Sequence, residues 1–289
     1  MQLSRVSEIL SSGNYQVFSK IPAKNPFNNF ALKTPDQLFN SIKKPILFNQ
    51  GIGNSNIFSA DSGLQNLQKN ALSSAVGEWQ AGVTENLGKN SGTRVNQYYK
   101  NAGFEAGGKG GWCGFFVAFN YAQSGFKFSP HLASMEKARD FFMYRQYTDR
   151  SASKENKLDT LKQQHQGQGS QRQFFLLENS PTIKYLNEHK NTFKNYTDTA
   201  TVFNHTNLPI RPGDTVLFDT GDSGGHVAMV YSYNPNSGKL VTIEGNTTGE
   251  CVDGKKHSNS VVTKNYDLTL PAVRARFAGF GRPALGDFQ

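Results

Sequence analysis

The stretch GGKGGWCGFFVAFNYAQSG, residues 107–125, decides how this chain is read. From Trp112 to Ala122 it is apolar almost without interruption, which suits a helix buried on every side. Gly125 supplies a stop, and the glycines before Trp112 let the backbone turn tightly and approach its neighbours. Cys113 thereby falls in the first helical turn, where unpaired N–H groups and the helix dipole favour an anion. That location lowers a thiol's pKa and raises its thiolate fraction. A free cysteine is more often an inert, buried small hydrophobe; the flanking glycines and the helix start argue against that here. A thiolate nucleophile then needs a base.

The C-terminal part of the chain offers one. There the period changes, and GDTVLFDT, GHVAMVYSYN, LVTIEGNT, NSVVTKNYDL and VRARFAGF read as strands separated by turn signals such as NPNSGK and DGKK. Strands joined by such short turns pair antiparallel. A helical half followed by this meander predicts an α+β domain. His226 opens the second strand, and Glu244 and Asn246 lie in the third. With a three-residue turn at Pro235 to Ser237, His226 faces Asn246 and Glu244 lies two residues along on the same face. A slip of one residue would send the pair to the other face. In this register His226 is the general base that holds Cys113 as thiolate and later protonates a leaving amine. Glu244 or Asn246 fixes the ring's orientation and tautomer. The backbone N–H of Cys113 helps bind an oxyanion.

Upstream, Leu64, Leu67, Ala71, Leu72, Ala75, Val76 and Trp79 fall at helical spacing. Ser62 with Gln65 reads as a capping box at the start of that helix. A second helix over TRVNQYYKNAGF ends at Gly103. Residues 1–60 are polar, Phe-bearing and without sustained period, and read as an extended or loosely ordered arm; residues 61–289 then form the catalytic domain. Within it, residues 150–208 read as a polar, Gln- and Asn-rich insertion with one or two helices, one of them over SPTIKYLNEHK. His165, His189 and His205 fall there without metal-ligand spacing, so neither a metal nor another cofactor is expected. The two cysteines make no disulfide framework, and Cys251 reads as part of an exposed turn.

The net charge of +9 is unevenly spread. Residues 1–70 carry 7 Lys and Arg against 3 Asp and Glu, whereas residues 209–289 balance at 8 and 8. Such an excess suits polyanions, among them wall polymers, lipopolysaccharide, nucleic acid and anionic lipid. No aromatic-basic nucleic-acid motif is recognisable, and no apolar run has the length of a membrane span. The N-terminal residues lack the pattern of a secretory signal, so synthesis in the cytoplasm without a leader is expected.

Trp112-Cys113 before an apolar helix, the GDTVLF strand, Gly225-His226-Val227 and Glu244-x-Asn246 together resemble the CHAP amidohydrolase/peptidase domain, of the papain-like, NlpC-type group. The resemblance runs from about Glu78 to the GFGRP at 279–283, interrupted by the 150–208 insertion. It implies a papain-like fold in which a buried nucleophile helix packs on an antiparallel sheet. It also implies catalytic Cys113 and His226 supported by Glu244 and Asn246, with Trp112 and Gly225 placed to meet substrate. Gly107 stands where papain has its oxyanion-donating glutamine, so the second donor is unassigned. The resemblance implies cleavage of peptidoglycan at the sugar–peptide amide or within stem peptides and cross-bridges. A wall hydrolase made without a leader would reach the wall as a phage lysin or as an antibacterial effector. The N-terminal arm would then engage a secretion or injection carrier, and an immunity protein would protect the producer. The competing readings are a papain-like effector acting on a host protein or lipid, and a basic binding module with a dead site. The occupied catalytic positions speak against the last.

Overall fold

Helices lead and strands follow, as the change of period along the sequence requires. The computed structural model describes residues 55–105, 107, 110–143, 172–188, 200–221 and 225–288. The arm proposed for residues 1–60 lies almost wholly outside them, as do His165 and His189.

Helix α1 spans Ser55–Gln80, α2 Val95–Asn101, α3 Cys113–Ala122 and α4 Met135–Met143, with a 3₁₀ turn at Ser129–Leu132. Helix α1 starts seven residues before Ser62, so the capping pattern there lies inside the helix and not at its start. Extending a helix costs less than nucleating one, and a local cap signal yields to that. Leu64, Ala71, Leu72, Ala75 and Trp79 are its buried face. Both shorter helices stop as their glycines predict. The Phe104 N–H bonds Tyr99 O and the Gly103 N–H bonds Lys100 O; at the end of α3, Phe126 and Gly125 do the same to Tyr121 and Ala122. Gly103 and Gly125 hold φ of 78° and 86°, so each end closes as a Schellman motif.

The strands are β1 Gln173–Leu177, β2 Ala200–Phe203, β3 Thr215–Phe218, β4 His226–Asn234, β5 Lys239–Glu250, β6 Lys256–Asp267 and β7 Phe277–Arg282. Helix α5, Pro181–Glu188, lies between β1 and β2, and the short α6, Pro271–Arg274, precedes β7. Together the strands form one seven-stranded mixed sheet in the order β2-β1-β7-β3-β4-β5-β6. The meander β3 to β6 is antiparallel, while β1 and β2 run parallel. The domain is therefore α+β, as the sequence predicts.

The region 150–208 departs from its reading as an insertion. Its helix at 181–188 is present, but β1 and β2 also come from it and extend the main sheet beyond β7. Phe174, Phe175, Leu176 and Leu177 are all buried. A strand covered on both faces loses the two-residue alternation that marks a half-exposed one, which hid this run among glutamines.

One sheet face carries a core of Val216, Phe218, Ala228, Val230, Leu240, Phe277 and Phe280. The other receives the helices. A side chain at Gly245 would strike Trp112 and Phe116 of the α3 region, and one at Gly281 would strike Phe142 of α4. Among the described residues no helix is long and apolar enough to cross a membrane.

Candidate active site

Cys113 is the first residue of α3, with Trp112 at the N-cap and no side-chain cap. His226 is the first residue of β4. Ala228 of β4 pairs with Glu244 of β5, the register the sequence predicts at this end of the hairpin. The turn end differs. Asn234 pairs with Lys239, so four residues, Pro235–Gly238, form the connection, and an irregularity between Val230 and Ser232 restores the register.

These elements bring Cys113, His226 and Glu244 together. The thiol and the ring line the same cleft, and the ring's charge acts on the sulfur; His226 Nε2 lies 2.9 Å from Glu244 Oε2. With Nε2 committed to the carboxylate, Nδ1 is the ring nitrogen left for sulfur. Burial pushes the Cys113 thiol up, but the His226 charge and hydrogen bond, with backbone N–H groups of Val227 and Gly114, outweigh it and hold the thiol below its ordinary value. Burial likewise depresses His226, and the Cys113 thiolate with Glu244 overcomes it and raises the ring to about 10. The two shifts describe one coupled thiolate–imidazolium pair.

Glu244 is wholly buried and fully satisfied. Its Oε1 accepts from Thr242 Oγ1 at 2.6 Å and Tyr266 Oη at 2.8 Å. Its Oε2 faces His226 and, at 3.4 Å, Lys264 Nζ. Burial alone would raise this carboxyl; His226, then Lys264 and Thr242, lower it to about 2. Thr242, Lys264 and Tyr266 are the residues that the sequence reading missed. Thr242 stands two positions before Glu244, and the β5–β6 ladder, pairing Glu244 with Val262 and Thr242 with Lys264, puts the other two on the same face. A register for that second hairpin would have found them. Phe218 packs on the His226 ring at 5.6 Å between centroids.

Asn246 does not pair with His226 in the ladder. Its φ is 58°, left-handed, and the β5–β6 register breaks between Glu244 and Thr247. The carboxamide instead lies against Gly111, where a Cβ would sit 2.3 Å from Asn246 Nδ2. Glu244 alone therefore orients the ring, while Asn246 stands beside the backbone that leads into Cys113. Gly225 lines the cleft with φ 79°, and a Cβ there would meet Met135 at 2.6 Å. Trp112 is placed otherwise than expected: it is fully buried, and its indole N–H donates to Glu85 Oε1 at 3.0 Å. It holds the approach to the helix from behind. Cys251 is buried as well, its thiol turned to Val261 O at 3.6 Å, and not in an exposed turn.

A cleft of about 820 Å³ opens over Cys113, His226, Glu244 and Asn246. Tyr99, whose hydroxyl donates to Gly110 O at 2.7 Å, forms part of its wall. The arrangement supplies a nucleophile, a proton carrier for it, a buried carboxylate that fixes the carrier, and room for a substrate.

No family model matches this chain, and no curated protein matches it. Among solved structures, one titled "The crystal structure of Ly7917" aligns at 16% identity with a TM-score of 0.20, covering 28% of this chain and 30% of that one. A likeness of that extent carries no argument, so the functional reading rests on the residues.

Proposed function

We propose that this protein is a papain-like cysteine amidohydrolase that cleaves an amide bond of peptidoglycan. The observation that carries the proposal is the gathering of Cys113, His226 and Glu244 in one cleft, with the sulfur at a helix start and the carboxylate out of water. The substrate class follows from the CHAP-like motifs around these residues, and the net charge of +9 suits work on an anionic wall.

In this reading the Cys113 thiolate adds to the amide carbonyl carbon, and the carbonyl π electrons move onto oxygen. The N–H of Cys113, which has no intrahelical acceptor at the first helical position, and the Asn246 carboxamide are the donors assigned to that oxyanion. Collapse breaks the C–N bond, and the His226 imidazolium gives its proton to the departing amine. The acyl group remains on sulfur as a thioester. Neutral His226 then takes a proton from water, the resulting hydroxide attacks the thioester, and the thiolate leaves. Glu244 holds Nε2 throughout, so Nδ1 always meets the reacting atoms.

Mass spectrometry of purified wall after digestion tests this reading, since new amine and carboxyl termini would name the bond. A Cys113→Ala protein that still digests wall would overturn it. Wall left intact by a protein whose Cys113 is reactive would move the proposal to protein or lipid amides.

A further inference from the structure

The cleft has two unlike walls. The helical wall is aromatic: Tyr99 packs on Phe115 with centroids 4.5 Å apart, and Phe104 packs on Phe115 at 5.0 Å. Among its described lining residues the two charges, Glu105 and Lys137, are of opposite sign. The sheet wall also has an aromatic base, Phe218 against Tyr266 at 5.2 Å, but among the described lining residues its charges open to the cleft are both positive. They are Lys264 of β6 and Arg276, just before β7.

These two cations are not equivalent. Lys264 is engaged, donating to Thr247 Oγ1 at 2.6 Å and standing 3.4 Å from Glu244 Oε2. The Arg276 guanidinium makes no hydrogen bond or ion pair with the rest of the described residues, although it lines the cleft. Within the site, the two anions, the Cys113 thiolate and the Glu244 carboxylate, are matched by the His226 imidazolium and the Lys264 ammonium. The sheet wall therefore keeps an unmatched guanidinium, whose planar fork fits a carboxylate in bidentate fashion.

We infer that the preferred substrate carries a free carboxylate flanking the scissile amide, and that Arg276 receives it on the sheet wall. The aromatic helical wall takes the uncharged side of the substrate. Arg276 is thus a specificity residue and takes no part in bond making. The inference rests on the amide-hydrolase reading for its scissile bond, but the charge preference is measurable without turnover. The contact is exposed and screened, so it selects modestly and fades with salt.

The test uses the full chain carrying Cys113→Ala, which binds without reacting, and a matched pair of probes: N-acetyl-alanyl-alanine and its C-terminal carboxamide. Chemical-shift titration gives the two Kd values. The acid is expected to bind about fivefold tighter at low salt, the upper range for a single exposed pair. Adding Arg276→Gln should bring the ratio near one, and Arg276→Glu should invert it. Equal Kd values in the Cys113→Ala chain, or a preference that survives Arg276→Gln, would overturn the inference. A preference that disappears with Arg276→Gln, in a native chain that hydrolyses no amide, would uphold the cation site and remove the hydrolase reading instead.

Discussion

His226 and Glu244 meet across adjacent strands, ring nitrogen to carboxylate oxygen at 2.9 Å, with Glu244 wholly out of contact with water. Three hydrogen bonds and the Lys264 ammonium engage that carboxylate, so it holds the imidazole in one orientation.

Glu244→Gln keeps the volume but removes the charge, and turns an acceptor into a donor facing groups that themselves donate. Steady-state kinetics should show kcat reduced roughly 10²–10⁴-fold. Denaturant melts should show a loss of about 1–3 kcal/mol, the cost of leaving buried polar groups without partners. A variant with native kcat would remove Glu244 from the mechanism.

The thiolate–imidazolium pair exists between the lowered pKa of Cys113 and the raised pKa of His226, which lies at about 10. Alkylation of Cys113 by iodoacetamide should therefore already be fast at neutral pH, below the ordinary thiol range near 8.5. In His226→Ala that acid-side advantage should vanish. In Cys113→Ala the largest cause raising the ring is gone, so NMR titration should place His226 well below its native value.

Acid should unfold the protein through Glu244. Its carboxyl is lowered from 4.5 to about 2 on folding, so its contribution is fully present above pH 4.5 and is lost as pH falls toward 2. Glu244→Gln should be less sensitive than the native chain across that window when unfolding is followed by circular dichroism. An unchanged acid midpoint would show that other carboxyls govern it.

Gly114, next to the nucleophile, touches backbone. A Cβ there would sit 2.1 Å from Leu132 O and 2.7 Å from the Ala133 carbonyl carbon, and no rotamer change relieves a clash with main chain. Gly114→Ala should displace α3 from the Ser129–Leu132 turn and cost about 1–3 kcal/mol in thermal or denaturant unfolding. Alkylation of Cys113 should slow with it.

Phe174→Ala checks that β1 belongs to the core. The ring is buried and lies against Gly279 of β7, so the truncation should cost about 3–5 kcal/mol. In whatever fraction remains folded, Cys113 should be alkylated at the native rate. Native stability would return this region to the status of a dispensable insertion.

The nucleophile helix was legible because its signals are local: an apolar decamer, a glycine stop, and a cysteine at the start. The His226–Glu244 register was also legible, although the turn holds four residues and not the three expected; a bulge near Tyr231 cancels the difference. Asn246 was misplaced because its left-handed backbone breaks the ladder beyond Glu244, and an alternation rule assumes an unbroken one. The partners of Glu244 went unseen because they arrive from a second hairpin. Strand β1 was missed because burial on both faces removes its alternation and the strand it joins the main sheet through, β7, lies far along the chain.

The order of the sheet has a consequence for how the protein is made. The last of the described strands, β7, is not at an edge but between β1 and β3. While a nascent chain lacks residues 277–282, β1 and β2 have only each other to pair with, and β3 has an open side. Pairing Gln173 with Arg282 closes a long loop late, and such distant pairings are slow. Exposed strand edges during that interval are the natural target of holding chaperones. The sheet that backs the thiol site thus becomes complete only once residue 282 has emerged, and not as each earlier segment does.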